Sequence, residues 1–132
     1  MTDFNRCELS CSSSCGVVDF ERLQKALLML KGAGEPVSFR AGQTLLYQDH
    51  VPVGCFLLEH GEWDCERQDQ SGVLSTDPCE RRLVGLLHLL NQTPLCSSVV
   101  ARTRVTTIFF ARPFILELLA KHHYSSSTHL GR

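Results

Sequence analysis

The stretch Val37-Ser-Phe-Arg-Ala-Gly-Gln-Thr-Leu-Leu-Tyr47 marks a change in the periodicity of the chain. On both sides of its centre, apolar residues alternate with polar ones, which is the pattern of strands with one buried face. The centre, Arg40-Ala-Gly-Gln43, carries a glycine and has the composition of a tight turn. The stretch therefore predicts two short strands joined as a hairpin.

Helical periodicity appears on either side of the strand-forming region. Upstream, Asp19 is a candidate N-cap for an amphipathic helix whose apolar residues, spaced three and four apart, are Phe20, Leu23, Leu27 and Leu30. Gly32 and Gly34 are expected to end this helix. Downstream, Pro113 occupies the position that favours the first turn of a second helix.

Further short strands fill the region between the two helices. Residues 69–82 are polar and predict a long loop, whereas residues 98–110 predict two strands rich in β-branched side chains. We expect a mainly β fold, an antiparallel β-roll (double-stranded β-helix or jelly-roll-like) of about eight strands with flanking N- and C-terminal helices. The predicted segments are a Cys/Ser-rich leader (1–16), the β-roll domain (17–121) and a flexible tail (122–132).

Composition limits the functional classes that are open to the chain. The 132 residues are 43% hydrophobic, and 13 basic side chains face 14 acidic ones, for a net charge of −1. Without a basic patch, neither direct nucleic-acid binding nor an anionic membrane surface is predicted. The chain also lacks an apolar stretch of membrane-spanning length and a signal-peptide core. We therefore expect a cytoplasmic protein.

Five segments, taken in order, resemble the cyclic nucleotide-binding domain family of catabolite-activator-type and fumarate-and-nitrate-reduction regulators. The first contains the family's F-x-x-G-x-x-L pattern at Phe39, Gly42 and Leu45. The resemblance extends over about residues 20–120 and lacks a helix-turn-helix domain, so it implies a regulatory β-roll that does not read DNA itself. The carrying segments are residues 37–47, 56–63, 83–90, 94–101 and 105–114.

Two positions depart from the family pattern for binding a cyclic nucleotide. In binding members, a Glu after the glycine accepts from the ribose hydroxyl, and an Arg near the turn proline pairs with the cyclic phosphate. Here Leu86 follows Gly85 and Leu95 follows Pro94. Because leucine cannot replace the bidentate guanidinium, we expect a degenerate phosphate-binding cassette. The ligand pocket implied by the resemblance comprises Gly85, Leu86, Leu87, Leu95, Cys96, Ser97 and Ser98.

Cysteines are numerous and odd in number. Seven are present, of which Cys7, Cys11 and Cys15 are evenly spaced in the leader. Thiolates suit iron–sulfur clusters and zinc, so this run predicts either a metal or redox sensor or, as the plainer alternative, a leader that binds no metal. Without a signal sequence, reduced thiols are expected throughout, with Cys79 exposed in the loop and Cys96 in the core or the pocket.

No nucleophile–base pair, phosphate loop or metalloprotease motif is recognisable, so the chain is not expected to be an enzyme. The leading hypothesis is a non-catalytic regulatory module with a protein partner, no resident cofactor and scope for a small-molecule ligand or a homodimer. The alternatives are the iron–sulfur, zinc or redox sensor, and a cyclic nucleotide receptor with an atypical phosphate contact.

Overall fold

The computed structural model describes residues 20–122, and within them the chain forms three α-helices and eight strands. The predicted leader (1–16) and all but the first residue of the predicted tail (122–132) lie outside this range. The helices are α1 (Phe20–Met29), α2 (Leu86–Asn91) and α3 (Arg112–His122), and a 3₁₀ turn (Lys31–Ala33) follows α1. The strands are β1 (Glu35–Phe39), β2 (Thr44–Leu46), β3 (Gly54–His60), β4 (Trp63–Gln68), β5 (Leu74–Cys79), β6 (Leu83–Val84), β7 (Ser98–Ala101) and β8 (Val105–Ala111).

Two antiparallel sheets make up the β-roll. One has the strand order β1-β8-β3-β6, and the other has the order β2-β7-β4-β5. The predicted mainly β roll with a helix at each end is confirmed. Since β1 pairs with β8 and β2 pairs with β7, the roll closes only when both ends of the domain are in place.

Strands β3 and β8 form the centre of the first sheet and are buried on both faces. Cys55 and Leu57 of β3 face the helices, whereas Phe56 between them faces the second sheet. Strand β8 repeats the alternation, with Ile108 and Phe110 on the helix side. Two apolar clusters result, one under the helices and one inside the roll.

The helices cover the outer face of the first sheet. The leucines of α1 at the helical spacing, Leu23 and Leu27, are fully buried in the cluster under the helices. Ile115 of α3 is also fully buried there, and the rings of Phe110 and Phe114 stack at 5.4 Å. The amphipathic patterns of the two terminal helices therefore point to the same surface.

The hairpin predicted from residues 37–47 is wrong. Strand β1 pairs with β8, and strand β2 pairs with β7, so the turn between them carries the chain from one sheet to the other. The turn is held by Ala101, whose oxygen accepts from the Gly42 amide (2.7 Å) and whose amide donates to the Gln43 oxygen (2.9 Å). Alternation identified both strands but carries no information about their partners.

The long loop predicted at residues 69–82 is also wrong, because residues 74–79 of this segment form β5. Strand β5 pairs with β4 over its full length at the edge of the second sheet, and most of its side chains are exposed. An exposed edge strand needs no apolar alternation and tolerates Pro78, which cannot donate to a ladder. Among residues 20–122, no helix is long and apolar enough to cross a membrane.

Gly61 is required where two turns of the roll meet. Its φ is +105°, and a Cβ at this position would lie 2.4 Å from the Arg104 oxygen and 2.9 Å from the Val105 Cα. Gly42 also has a positive φ, +91°, but a Cβ there would meet no atom within 4 Å. A side chain at Gly42 would therefore cause backbone strain alone, whereas a side chain at Gly61 would cause backbone strain and a steric clash.

We expect Gly61→Ala to lower the free energy of unfolding by about 3 kcal/mol or more, since strain and a backbone clash add together. Gly42→Ala should cost only about 1–2 kcal/mol because it carries the strain alone. Urea denaturation followed by circular dichroism measures both values. Equal losses in the two variants would contradict the close contact between the turns.

Candidate functional site

The candidate site is the segment 85–98, called the cassette here, which joins β6 to β7. It begins at Gly85, whose φ of +90° turns the chain from β6 into α2. The Gly85 oxygen accepts from the Leu89 amide at 2.9 Å, the first hydrogen bond of this helix. A Cβ on Gly85 would lie 3.0 Å from Leu46, so the turn is tightly packed against β2. No helix is predicted from the sequence of this apolar run.

The end of α2 is fixed by contacts from both sides. Gln92 adopts a left-handed conformation (φ 55°), and the Thr93 amide donates to the His88 oxygen at 3.0 Å. Arg112, the first residue of α3, donates from Nε to the Leu89 oxygen at 3.2 Å. A cation at a helix C-terminus is favourable because it meets the negative end of the helix dipole. The cassette helix is thereby joined to the C-terminal helix.

The second half of the cassette is bonded to the turn after β2. The Leu95 amide donates to the His50 oxygen (3.0 Å), and the Leu95 oxygen accepts from the Asp49 amide (2.8 Å). Farther on, the Ser98 hydroxyl accepts from the Gln48 amide at 2.8 Å. These three bonds hold the backbone of residues 95–98 in a fixed position.

Leu95 fills the interior of the roll. Its side chain is 5% exposed and belongs to the inner apolar cluster, together with Trp63, which is completely buried. The indole Nε1 of Trp63 donates to the Arg81 oxygen at 2.9 Å, so its polar group is satisfied. The inner cluster comprises Leu45, Leu46, Phe56, Trp63, Val84, Leu95, Val99, Ala101 and Val105. Leu95 is thus part of the apolar interior of the roll.

Leu86 belongs to the other cluster. Its side chain is fully buried under the helices, and Leu87 is 2% exposed. Leu86 and Leu95 therefore pack into different clusters. The structure brings only part of the predicted pocket together, since Cys96 and Ser98 each line a polar surface groove instead.

Arg102 is engaged outside the cassette. Its guanidinium lies 3.1 Å from the Asp64 carboxylate and 3.5 Å from that of Glu62. Its amide also donates to the Glu62 oxygen, at 2.9 Å, where the β3–β4 turn meets the β7–β8 turn. Arg102 thus stabilises the contact between the β3–β4 turn and the β7–β8 turn.

His88 is a buried, hydrogen-bonded histidine on α2. It is 6% exposed, and its Nδ1 lies 3.0 Å from the Thr93 hydroxyl. Burial lowers the pKa of His88 from its ordinary value of 6.5, because a charged imidazole would be poorly solvated there. The neutral ring helps to close the loop between the two halves of the cassette.

Cys96 differs from its prediction. It was expected to be a thiol, but in the structure it is disulfide-bonded. Sequence composition could not show this, because an odd number of cysteines does not prevent two of them from pairing. Cys96 lies in a polar groove with Gln48, Asp49, Arg67, Gln68, Asp69, Gln70 and Ser71.

The groove wall opposite the cassette is an ordered turn. The Asp69 carboxylate accepts from the amides of Val73 and Ser71, each at 2.9 Å, and these bonds lower the pKa of Asp69. Gln48 bridges this turn to the chain after β2, since its side chain bonds to the backbone of Gln68 at 2.8 and 2.9 Å.

Of the other cysteines in the described part of the chain, Cys79 is less accessible than predicted. Cys55 and Cys65 are buried, as expected for small apolar residues in strands. Cys79, predicted to be exposed in a loop, lies on β5 and packs partly against the inner cluster. Its side chain is covered because the polar segment around it is a strand.

Metal binding by the leader stays a prediction. Cys7, Cys11 and Cys15 lie outside the described residues. Within residues 20–122, no group of three or more His, Cys, Asp or Glu side chains could hold a metal ion.

Comparison with protein families identifies a cyclic nucleotide-binding domain. The model of the cyclic nucleotide-binding domain family aligns with residues 36–122, about two thirds of the chain. Comparison with curated proteins gives no significant match.

Solved structures share the fold at low identity. A transcriptional regulator from Thermotoga maritima superposes with a TM-score of 0.65 at 21% identity, covering 74% of this chain and 78% of that one. The catabolite activator protein of Thermus thermophilus gives 0.67 at 16% identity, covering 81% of this chain. A cAMP-binding acyltransferase from Mycobacterium smegmatis gives 0.62 at 22% identity, covering 71% of this chain. The present chain spans 51% of the activator and 30% of the acyltransferase.

Leu95→Arg tests whether the inner cluster can accept a guanidinium. We expect a loss of about 3–5 kcal/mol in the free energy of unfolding, because the charge would be buried among apolar side chains. The volume-conserving Leu95→Met should cost less than about 1.5 kcal/mol. Thermal and urea denaturation compare the two, and an Arg variant as stable as the Met variant would mean that the position reaches solvent.

His88 should make stability depend on pH. Its pKa is lowered in the folded state, so the unfolded chain binds the proton first as the pH falls below 6.5. The stabilisation is present above the unfolded pKa and is lost as the pH falls toward the folded one, by at most about 1.4 kcal/mol per pH unit. Urea denaturation between pH 7.5 and 5 should show a smaller loss in His88→Gln than in the native protein.

His60→Gln is the control for this pH series, since His60 is an exposed imidazole at the end of β3. We expect the His60→Gln variant to keep the native pH dependence. If His60→Gln reduces the pH dependence of the free energy of unfolding as much as His88→Gln does, His88 is not the group responsible for it.

Proposed function

Because the chain belongs to the cyclic nucleotide-binding domain family, we propose that it uses the family β-roll as a non-catalytic regulatory module that does not respond to cyclic nucleotides in the usual way. The observation that carries this proposal is the position of Leu95. Its side chain packs with Trp63 in the inner cluster, at the place where the family resemblance puts a phosphate-binding arginine.

The energetic argument concerns the cyclic phosphate. An anion loses its hydration on entering a buried site and must be compensated by charged or hydrogen-bonding groups. Leu95 offers neither, and Leu86 cannot accept from a ribose hydroxyl. Cyclic nucleotide entry would also displace Leu95 from its packed position in the inner cluster. Both effects oppose binding, and neither is offset by the contacts of the described cassette.

The names of the similar structures also bear on this proposal. They are a transcriptional regulator, a catabolite activator protein and a cAMP-binding acyltransferase, so two of the three names denote control of another process. We therefore infer that the present β-roll acts on a protein partner rather than on a substrate, and that α2, through its bond to Arg112, is the element that couples the cassette to the C-terminal helix.

Trp63 provides a direct test, because it is the single tryptophan of the chain and is fully buried in the inner cluster that also contains Leu95. Adding cyclic AMP or cyclic GMP up to about 1 mM should leave its emission unchanged and should give no heat of binding in calorimetry. The cAMP-binding acyltransferase of Mycobacterium smegmatis, assayed in the same buffer, is the positive control for cyclic AMP.

Micromolar binding of either nucleotide, accompanied by a change in Trp63 emission, would overturn the proposal. Urea unfolding of the same sample shows that the emission can respond, because unfolding exposes the indole to water. A nucleotide that binds without altering Trp63 emission would indicate a site away from the inner cluster.

A further inference from the structure

Three turns meet at one end of the roll, which we call the arginine end. The Gly42 amide donates to the Ala101 oxygen at 2.7 Å, and the Glu62 amide donates to the Thr103 hydroxyl at 3.0 Å. These bonds fix the turns relative to one another, so their side chains are presented on a surface of defined shape. The turns are residues 40–43, 61–62 and 101–104.

Two arginines lie opposite each other at the arginine end. Strands β1 and β8 pair in antiparallel register as far as Phe39 and Val105, so the next position places Arg40 opposite Arg104. Val105 belongs to the inner cluster and Phe39 packs against it, so alternation puts the two arginines on the outer face. Both arginines are exposed.

The two guanidinium groups are not neutralised by acidic side chains. Within residues 20–122, neither forms an ion pair or a side-chain hydrogen bond. The carboxylates of Glu62 and Asp64 bind Arg102 instead, and the carboxylate of Glu59 binds Lys31 at 3.0 Å. Because like charges at opposed positions of a sheet destabilise it, an anion bound between the two groups would relieve their repulsion.

We propose that Arg40 and Arg104 form a carboxylate-binding site whose occupant is an acidic segment of a protein partner. The inference rests on the proposed function, since it names the chemistry by which the protein partner is recognised. A guanidinium binds a carboxylate through two parallel hydrogen bonds. Opposed residues of an antiparallel pair lie about 5 Å apart, and acidic side chains two residues apart in an extended segment are spaced by about 7 Å. Long arginine side chains can span this difference.

The opposite end of the roll carries the opposite charge. Strand β4 runs from the arginine end to the polar grooves beside the cassette. The described residues that line these grooves include the carboxylates of Asp49, Glu66 and Asp69, against the guanidinium of Arg67. An acidic segment is therefore attracted to one end and repelled from the other, which orients the partner as it approaches.

The same charge distribution favours a protein segment over a nucleic acid. Nucleic acids bind through many phosphate contacts with basic side chains. This site offers two, on a chain whose net charge is −1 and whose other end is acidic. Short acidic segments need no more than the two arginines.

Peptide binding to the full chain tests the site. The probe is a fluorescein-labelled peptide of about 12 residues in which Glu alternates with Gly or Ser, and its control has Gln in place of Glu. By fluorescence anisotropy at about 50 mM salt, we expect the Glu peptide to bind about tenfold more tightly than the Gln peptide. The difference should shrink at about 300 mM salt, since exposed charges are then screened.

Single substitutions assign the binding to the arginine end. Arg40→Gln and Arg104→Gln should each weaken binding of the Glu peptide about fivefold, and the double variant should bind both peptides alike. Arg104→Lys keeps the charge but lacks the fork, so its affinity should lie between those of the native protein and Arg104→Gln. The matched control is Arg67→Gln, which removes the same charge at the opposite end and should not weaken binding.

An equal loss in Arg67→Gln would mean non-specific attraction and would overturn the site. Two further results would assign the surface to another occupant and so overturn the proposal. One is tighter binding of a single-stranded DNA of about 20 nucleotides that depends on Arg40 and Arg104. The other is self-association of the native protein that is lost in the double variant.

Thermal unfolding without peptide gives a second readout. Because each substitution relieves the repulsion, Arg40→Gln and Arg104→Gln should melt about 1–4 °C above the native protein at low salt. The difference should vanish at about 1 M salt, and Arg67→Gln should show no rise. If neither substitution at the arginine end raises the melting temperature, the two guanidinium groups do not repel each other and the proposed pair is refuted.

The peptide result is separable from the cyclic nucleotide test. Absence of peptide binding would remove the arginine site and leave the insensitivity to cyclic nucleotides intact. Nucleotide binding that alters Trp63 emission would overturn the proposed function, because Trp63 lies inside the roll and not at the arginine end surface.

Discussion

The pairing of β3 with β8 is the constraint on which the other elements depend. Both strands are buried on two faces, so every second side chain is assigned either to the helices or to the interior of the roll. The three helices need the outer face to cover their apolar stripes, and the second sheet needs the inner face. Because β8 also pairs with β1, the beginning and end of the domain are joined in the same sheet. The sheet can therefore form its core only after a long chain closure, which is costly in entropy.

The fold class could be predicted from the sequence because the spacing of apolar residues indicates which side chains are buried. The spacing of Leu23 and Leu27 and the alternation after Val37 predicted the first helix and the strands near it. The pairing of the strands could not be predicted in the same way. The alternation of apolar and polar residues is identical in a hairpin and in strands that belong to different sheets. The cassette helix was missed because six residues are too short to show a period, and its ends depend on Arg112, which is distant in sequence.

The residues of the candidate site were selected from sequence, but their packing was not predictable. The glycine–leucine pair at Gly85 and Leu86 marked the cassette, but nothing local showed that Leu86 and Leu95 enter different clusters. Trp63 was also not identified as a member of the cluster that contains Leu95, because its place inside the roll follows from the pairing of β4 with β7. The disulfide of Cys96 was not predicted either, because the pairing of cysteines cannot be deduced from their spacing in the sequence alone.

The composition of β5 has a consequence for the behaviour of the protein at high concentration. A strand at the edge of a sheet offers its unpaired backbone groups to other chains, and flat apolar edges lead to aggregation. Here the longest strand at an edge of the second sheet carries Ser75, Thr76 and Asp77, followed by Pro78. The charge disfavours burial against a second sheet, and the proline lacks the amide that a growing ladder would use. The same polarity that made this segment resemble a loop protects the chain from polymerising through its own sheet.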